Sequence, residues 1–150
     1  MNGTKKIIAV ILGILSLIVG ASWVDRIYWQ YWDIVPAVVH GKIEVKNANK
    51  TVCAGRTLIY TVDIDKKIDS RPKIKRQLVN SYIISYPASE PAAKPLGRQK
   101  VTASLPVPSS AELGDWHLRW SAEYPLRHGR VVSVDAESET FWVVDCSKKK

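Results

Sequence analysis

At 150 residues the chain has room for one ordinary domain once its apolar N-terminal stretch is set aside. Its 22 Lys and Arg against 14 Asp and Glu give a net charge of +8, but Lys5, Lys6, Lys148, Lys149 and Lys150 carry five of these charges and leave +3 on the part expected to fold. So ordinary a balance, with no recognised module beside it, argues against nucleic acid as a partner, and six Trp and six Tyr supply bulk for a core without a cofactor.

Residues 1–6 form a short basic leader. Ile7 to Val24 then reads IIAVILGILSLIVGASWV, eighteen residues without a charge. As a helix this covers about 27 Å, against a hydrocarbon core of about 30 Å. A helix buried in a soluble domain is normally amphipathic, whereas this one is apolar on every face. It is expected to be a signal anchor, a single transmembrane helix whose first partner is the lipid bilayer. Lys5 and Lys6 precede it and Asp25, Arg26 and Asp33 follow it. The excess of Lys and Arg stays inside, which predicts a cytoplasmic N-terminus and an extracytoplasmic C-terminal domain. Trp23, Tyr28, Trp29, Tyr31 and Trp32 are amphipathic rings suited to the membrane interface, most of them within a linker over 25–36. Val19-Gly20-Ala21 also satisfies the small-residue rule for signal-peptide cleavage, so release after Ala21 stands as the alternative. The length of the apolar run and the aromatic cluster behind it favour retention.

Pro36 stops helical continuation, and residues 37–146 are expected to form one β-domain ahead of a basic tail at 147–150. Val38 to Asn47 reads as a strand pair or a bent strand with Gly41 at the bend. In Thr57 to Asp65, after the turn at Ala54-Gly55, Leu58, Tyr60, Val62 and Ile64 face one way and Thr61, Asp63 and Asp65 the other. Gln77 to Tyr86 reads as a single strand with Leu78, Tyr82, Ile84 and Tyr86 on one face, ended by Pro87. The segment ASEPAAKPLG is a loop, and Lys100 to Leu105 a short strand closed by Pro106 and Pro108. From Gly114, Trp116, Leu118, Trp120, Ala122 and Tyr124 alternate with His117, Arg119, Ser121 and Glu123. A last hairpin is expected from Val131 to Val134 and Thr140 to Val144, turning at Asp135-Ala136-Glu137.

Strands punctuated by Pro and Gly, without 3.6-residue periodicity after the N-terminus, predict an all-β fold, an antiparallel sandwich. Leu113-Gly114-Asp115-Trp116-His117-Leu118 resembles the start of the penultimate strand in immunoglobulin-like sandwiches. That resemblance implies an immunoglobulin-like fold, although the cysteines are not placed for the usual bridge between its second and sixth strands.

Cys53 and Cys146 are expected to form a disulfide in an extracytoplasmic compartment. Two cysteines and His40, His117 and His128 without ligand spacing predict no metal site. Asp63 and Asp65 alternate on a solvated face and need no ion. Serines lack a nucleophile elbow and no acid, base and nucleophile converge, so no catalytic residue is expected. The candidate binding surface is the basic run Lys66, Lys67, Arg71, Lys73, Lys75 and Arg76, taken as a loop between strands and opposed inside the run by Asp69. Asn49-Lys50-Thr51 is a glycosylation sequon, as is the one at Asn2. The expected function is that of a tethered, non-catalytic protein-interaction or assembly module. The alternative is a secreted or periplasmic small-molecule or glycan-binding domain.

Overall fold

Beyond Pro36 a two-residue alternation of apolar and polar side chains organises the chain. The computed structural model describes residues 3–32 and 34–146, with only the backbone of residues 3–6. The side chains of Lys5 and Lys6, Asp33, the Asn2 sequon residue and the basic tail at 147–150 lie outside the described residues. Residues 1–34 group with Leu126–Arg130 as one unit, and the rest of the chain forms a second.

In the first unit, helix α1 runs from Gly3 to Tyr31. Its stretch from Ile7 to Tyr31 is long and apolar enough to cross a membrane, and none of its apolar window is buried against protein. The helix does not end near Val24. It continues through the expected linker, so Tyr28, Trp29 and Tyr31 occupy its last turns. Its two hydroxyls are satisfied locally: Ser16 donates to the carbonyl of Leu12 at 2.9 Å and Ser22 to that of Ile18 at 2.8 Å. That leaves neither polar group to be paid for in an apolar medium.

The second unit is a sandwich-like pair of open sheets made by β1 (Ala37–Val39), β2 (Glu44–Val45), β3 (Thr51–Cys53), β4 (Thr57–Lys66), β5 (Lys73–Val79), β6 (Ile83–Ser89), β7 (Gly97–Pro106), β8 (Gly114–Pro125), β9 (Val131–Glu137) and β10 (Phe141–Val144). In one sheet β4 is central, with β7 along its full length on one side and β1 and β2 in succession on the other. The second sheet runs β3-β10-β8-β5-β6, with β9 also on β8. Gly41 takes the positive φ of 75° that the bend between β1 and β2 requires.

The core is one cluster fed by both sheets. Leu58, Tyr60, Val62 and Ile64 of β4 are buried, as are Trp116, Leu118, Trp120, Ala122 and Tyr124 of β8, the alternation expected for both segments. Phe141 and Val143 complete the same layer from β10. Thr61, expected on the solvent face, is also buried, and its hydroxyl pairs with that of Thr102 across the β4–β7 ladder at 3.0 Å.

Three expected elements are rearranged. Gln77–Tyr86 is not one strand: Asn80, Ser81 and Tyr82 turn the chain between β5 and β6, with Val79 opposite Ile83. Asn and Ser favour such turns by bonding local backbone, and here the Asn80 side chain accepts from the Ser81 amide. Tyr82 consequently leaves the strand face and meets Trp116 edge-on at 5.2 Å. Pro87 does not end β6, because β6 is an edge strand with a register irregularity opposite Ile74 and Arg76, where a missing N–H is tolerated.

Asp135-Ala136-Glu137 is not a turn either. β9 runs straight through it, with Asp135 and Glu137 outward and Ala136 against the core. β9 and β10 follow one another along the same edge of β8. They join at Ser138, whose amide donates to Leu118 O while its hydroxyl accepts from Leu118 N, both at 2.8 Å. A side chain there replaces one step of the backbone ladder.

Candidate functional site

The six basic residues of the 66–76 run do not form one loop surface. Lys66 ends β4 and Lys73, Lys75 and Arg76 lie on β5, leaving Lys67 and Arg71 in the connection. Lys67 and Lys75 are tied to Asp65 and Glu123 as exposed ion pairs. Arg71 and Lys73 are exposed. Lys66 and Arg76 turn inward, and the period of two explains both. Lys66 continues the inward series Leu58, Tyr60, Val62, Ile64, and Arg76 lies between Ile74 and Leu78, which are both buried.

Those two cations reach a cavity of about 140 Å³ that opens between the sheets. Val62 and Ile64 of β4, Val101 and Ala103 of β7, Ile74 of β5 and Trp120 of β8 form its walls. Pro91, Ala92, Ala93 and Lys94, from the segment joining β6 to β7, bound its mouth. Lys66 is 4% exposed and its ammonium donates to Lys94 O at 2.9 Å, with Asp69 at 3.6 Å. Arg76 Nη2 donates to Ser89 Oγ at 2.9 Å, while its Nε is buried without a hydrogen-bond partner among the described residues. Tyr60 and Tyr124 also line the site. Burial pushes both phenols up, in Tyr60 against the pull of the Arg76 guanidinium.

Asp63 and Asp65, on the outer face of β4, are each engaged by a cation. Arg98 grips Asp63 with Nε at 3.0 Å and Nη2 at 2.8 Å, which holds that carboxyl below its ordinary range. Lys67 takes Asp65.

The interfacial aromatics collect at the C-terminal end of α1. Tyr28 and Trp32 stack at 5.4 Å, and Tyr28 meets Trp29 edge-on at 5.7 Å. Trp23, Tyr31 and Trp32 are exposed. Within the same unit, Arg127 lies over the Trp29 ring at 5.2 Å and Arg130 donates to Trp32 O at 2.6 Å. A cation at a helix C-terminus satisfies carbonyls that have no partner in the helix itself. His128 sits 3.2 Å from Asp25. Leu126 to Arg130 carried no periodic signal, and its basic content was the available clue.

Cys53 and Cys146 are bonded, with 5.5 Å between their Cα atoms. The bridge fastens β3 beside β10, where the two strands pair in parallel with Cys53 opposite Val144. A disulfide suggests an oxidising, extracytoplasmic compartment.

Neither a family model nor a curated protein matches this chain. Among solved structures it is similar to the sporulation control protein Spo0M from Bacillus subtilis, with a TM-score of 0.44 and 12% identity over 73% of this chain. The match covers 50% of that protein, so the chain spans about half its length. A likeness of this size assigns no activity.

Proposed function

We propose that this chain is a membrane-anchored, extracytoplasmic β-sandwich that acts as a non-catalytic protein-interaction or assembly module. Helix α1 is its single-pass anchor in this reading. Lys5 and Lys6, ahead of the apolar run, orient it with the N-terminus inside, and the aromatic cluster near Tyr31 lies at the outer interface. Continuation of the helix through Val19-Gly20-Ala21 to Tyr31 supports retention over cleavage. The Gly114-to-Trp116 start of β8 supports an immunoglobulin-like reading of the sandwich within the same proposal.

The observation that carries the interaction reading is the edge of β7. Ten residues pair with β4 on one side, and among the described residues no strand pairs with the other. Such an edge presents a row of main-chain donors and acceptors to an extended segment of a partner, and Arg98 and Lys100 discourage indiscriminate pairing. β6, one edge of the other sheet, carries Pro87 and is poorer for that purpose, and β3 at its far end has only three residues.

The test is photo-crosslinking in intact membranes, with the reactive group placed at Thr102 or Ser104 of β7 or at Ser121 of β8, which has a strand on either side. The reading expects the same protein adduct from both β7 sites and none from Ser121. Absence of adducts at β7, or equal capture from Ser121, removes it. Replacing the exposed Arg71 and Lys73 by Ser tests whether what remains of the basic surface contributes to the same adduct.

The alternative, a released domain that binds a small molecule, is favoured by one observation, the cavity between the sheets. It differs from the first reading at the N-terminus, which would begin at Ser22.

A further inference from the structure

We propose that the cavity between the sheets binds a small apolar carboxylate, its anionic end on Arg76 and Lys66 and its hydrocarbon against the walls from β4, β7 and β8. The proposal goes beyond the interaction reading and depends on neither the β7 edge nor the anchor.

Charge is the first support. Lys66, Arg76 and Lys94 line the cavity, and no carboxylate lines it among the described residues. Burying an ammonium or guanidinium is costly unless opposite charge or several acceptors compensate. Lys66 is almost wholly buried yet has one carbonyl and, at 3.6 Å, a carboxylate that is itself 89% exposed. That is thin compensation, and an anion in the cavity would complete it.

The geometry of Arg76 is the second. A guanidinium offers Nε–H and an Nη–H side by side, the edge that matches the two oxygens of a carboxylate. Here Nη2 is held by the Ser89 hydroxyl at 2.9 Å and Nε is buried and unpartnered among the described residues. Leaving a buried donor unpaired costs more than an ordinary intramolecular hydrogen bond contributes net. Arg76 is therefore oriented, with the Tyr60 phenol beside its guanidinium and its Nε–H unpaired among the described residues.

The third support is shape and polarity. Val62, Ile64, Val101, Ala103 and the ring of Trp120 are apolar walls that an inorganic anion would leave unfilled. At about 140 Å³ the space resembles the apolar cavities of about 150 Å³ that accept benzene, so the fitting ligand has about six to nine non-hydrogen atoms. Ala92 and Ala93, both exposed, bound a mouth through which such a molecule can enter.

The full chain in lipid nanodiscs is titrated calorimetrically with benzoate, with benzyl alcohol as the neutral analogue and with sulfate as the anion lacking an apolar part. Benzoate is expected to bind at least about tenfold more tightly than benzyl alcohol, the gain typical of a charge-assisted hydrogen bond. Sulfate is expected not to displace it. Arg76→Met should erase the preference for benzoate while leaving the alcohol's affinity in place, and Ala103→Leu, which fills the walls, should weaken both. Lys66→Met supplies a second charge variant with a smaller loss of preference. Equal affinity for benzoate and the alcohol, no benzoate binding, displacement by sulfate, or an undiminished preference in both charge variants would overturn the proposal.

Discussion

Removing the disulfide is the perturbation whose size follows most directly from the structure. Cys53 and Cys146 are separated by 93 positions, so the bond closes nearly the whole sandwich into one loop. The chain-entropy relation gives about 4.6 kcal/mol at 25 °C for a loop of that length, most of it lost freedom in the unfolded chain. Native geometry contributes less: β3 has three residues and pairs with β10 alone, so its local fraying without the bridge costs little more. The double variant Cys53→Ser with Cys146→Ser is therefore expected to lose about 3–4.5 kcal/mol. It should also unfold with a steeper denaturant dependence, because its unfolded state exposes more surface. Urea unfolding of the full chain in a mild detergent measures both quantities. The buried Trp116 and Trp120 serve as fluorescent reporters. A loss under about 1 kcal/mol with an unchanged slope would refute the reasoning, since the loop would then not constrain the unfolded chain.

Two further outcomes follow from single groups. Ser138→Ala removes the acceptor for the Leu118 amide at the junction of β9 and β10, strands a buried N–H, and is expected to cost about 1–3 kcal/mol in the same unfolding measurement. Burial holds Tyr60, Tyr86 and Tyr124 neutral above their ordinary pKa of 10.0, so the unfolded chain releases these protons first as pH rises. Their contribution to stability is complete below about pH 10 and is lost as pH climbs toward the folded values. A urea midpoint that falls between about pH 9 and pH 11, and falls less in Tyr124→Phe, is the expected result.

Much of the sandwich was legible because burial imposes a period of two. The alternation alone picks out the inward sets of β4 and β8 residue by residue, and two cysteines in an extracytoplasmic domain point to each other as partners. The sequence misleads where a local signal runs against that period. Asp135 and Glu137 suggested a turn, yet Val134 and Ala136 keep the inward alternation and the two acids occupy the solvent face, where Glu137 meets Arg119 at 3.2 Å. Pro87 suggested a strand end, but an edge position with an irregular register accommodates it. The opposite error hid the turn at Asn80-Ser81-Tyr82, where apolar residues on both sides made a single strand plausible. The basic run repeats the lesson: reading it as one charged loop concealed that Lys66 and Arg76 fall on inward positions of β4 and β5. The cavity they serve joins residues from five strands and two connecting segments, a proximity that no stretch of sequence displays.

Retention of α1 as an anchor and a sandwich outside the cytoplasm are both read directly by the sequon at Asn49. Asn49 is exposed in the segment ahead of β3. When the chain is translated in the presence of ER-derived microsomes, the expected product stays in the membrane pellet after carbonate washing and retains its N-terminus. It carries one glycan that disappears in Asn49→Gln. An unglycosylated or extractable product, or one shortened to begin at Ser22, would contradict the account.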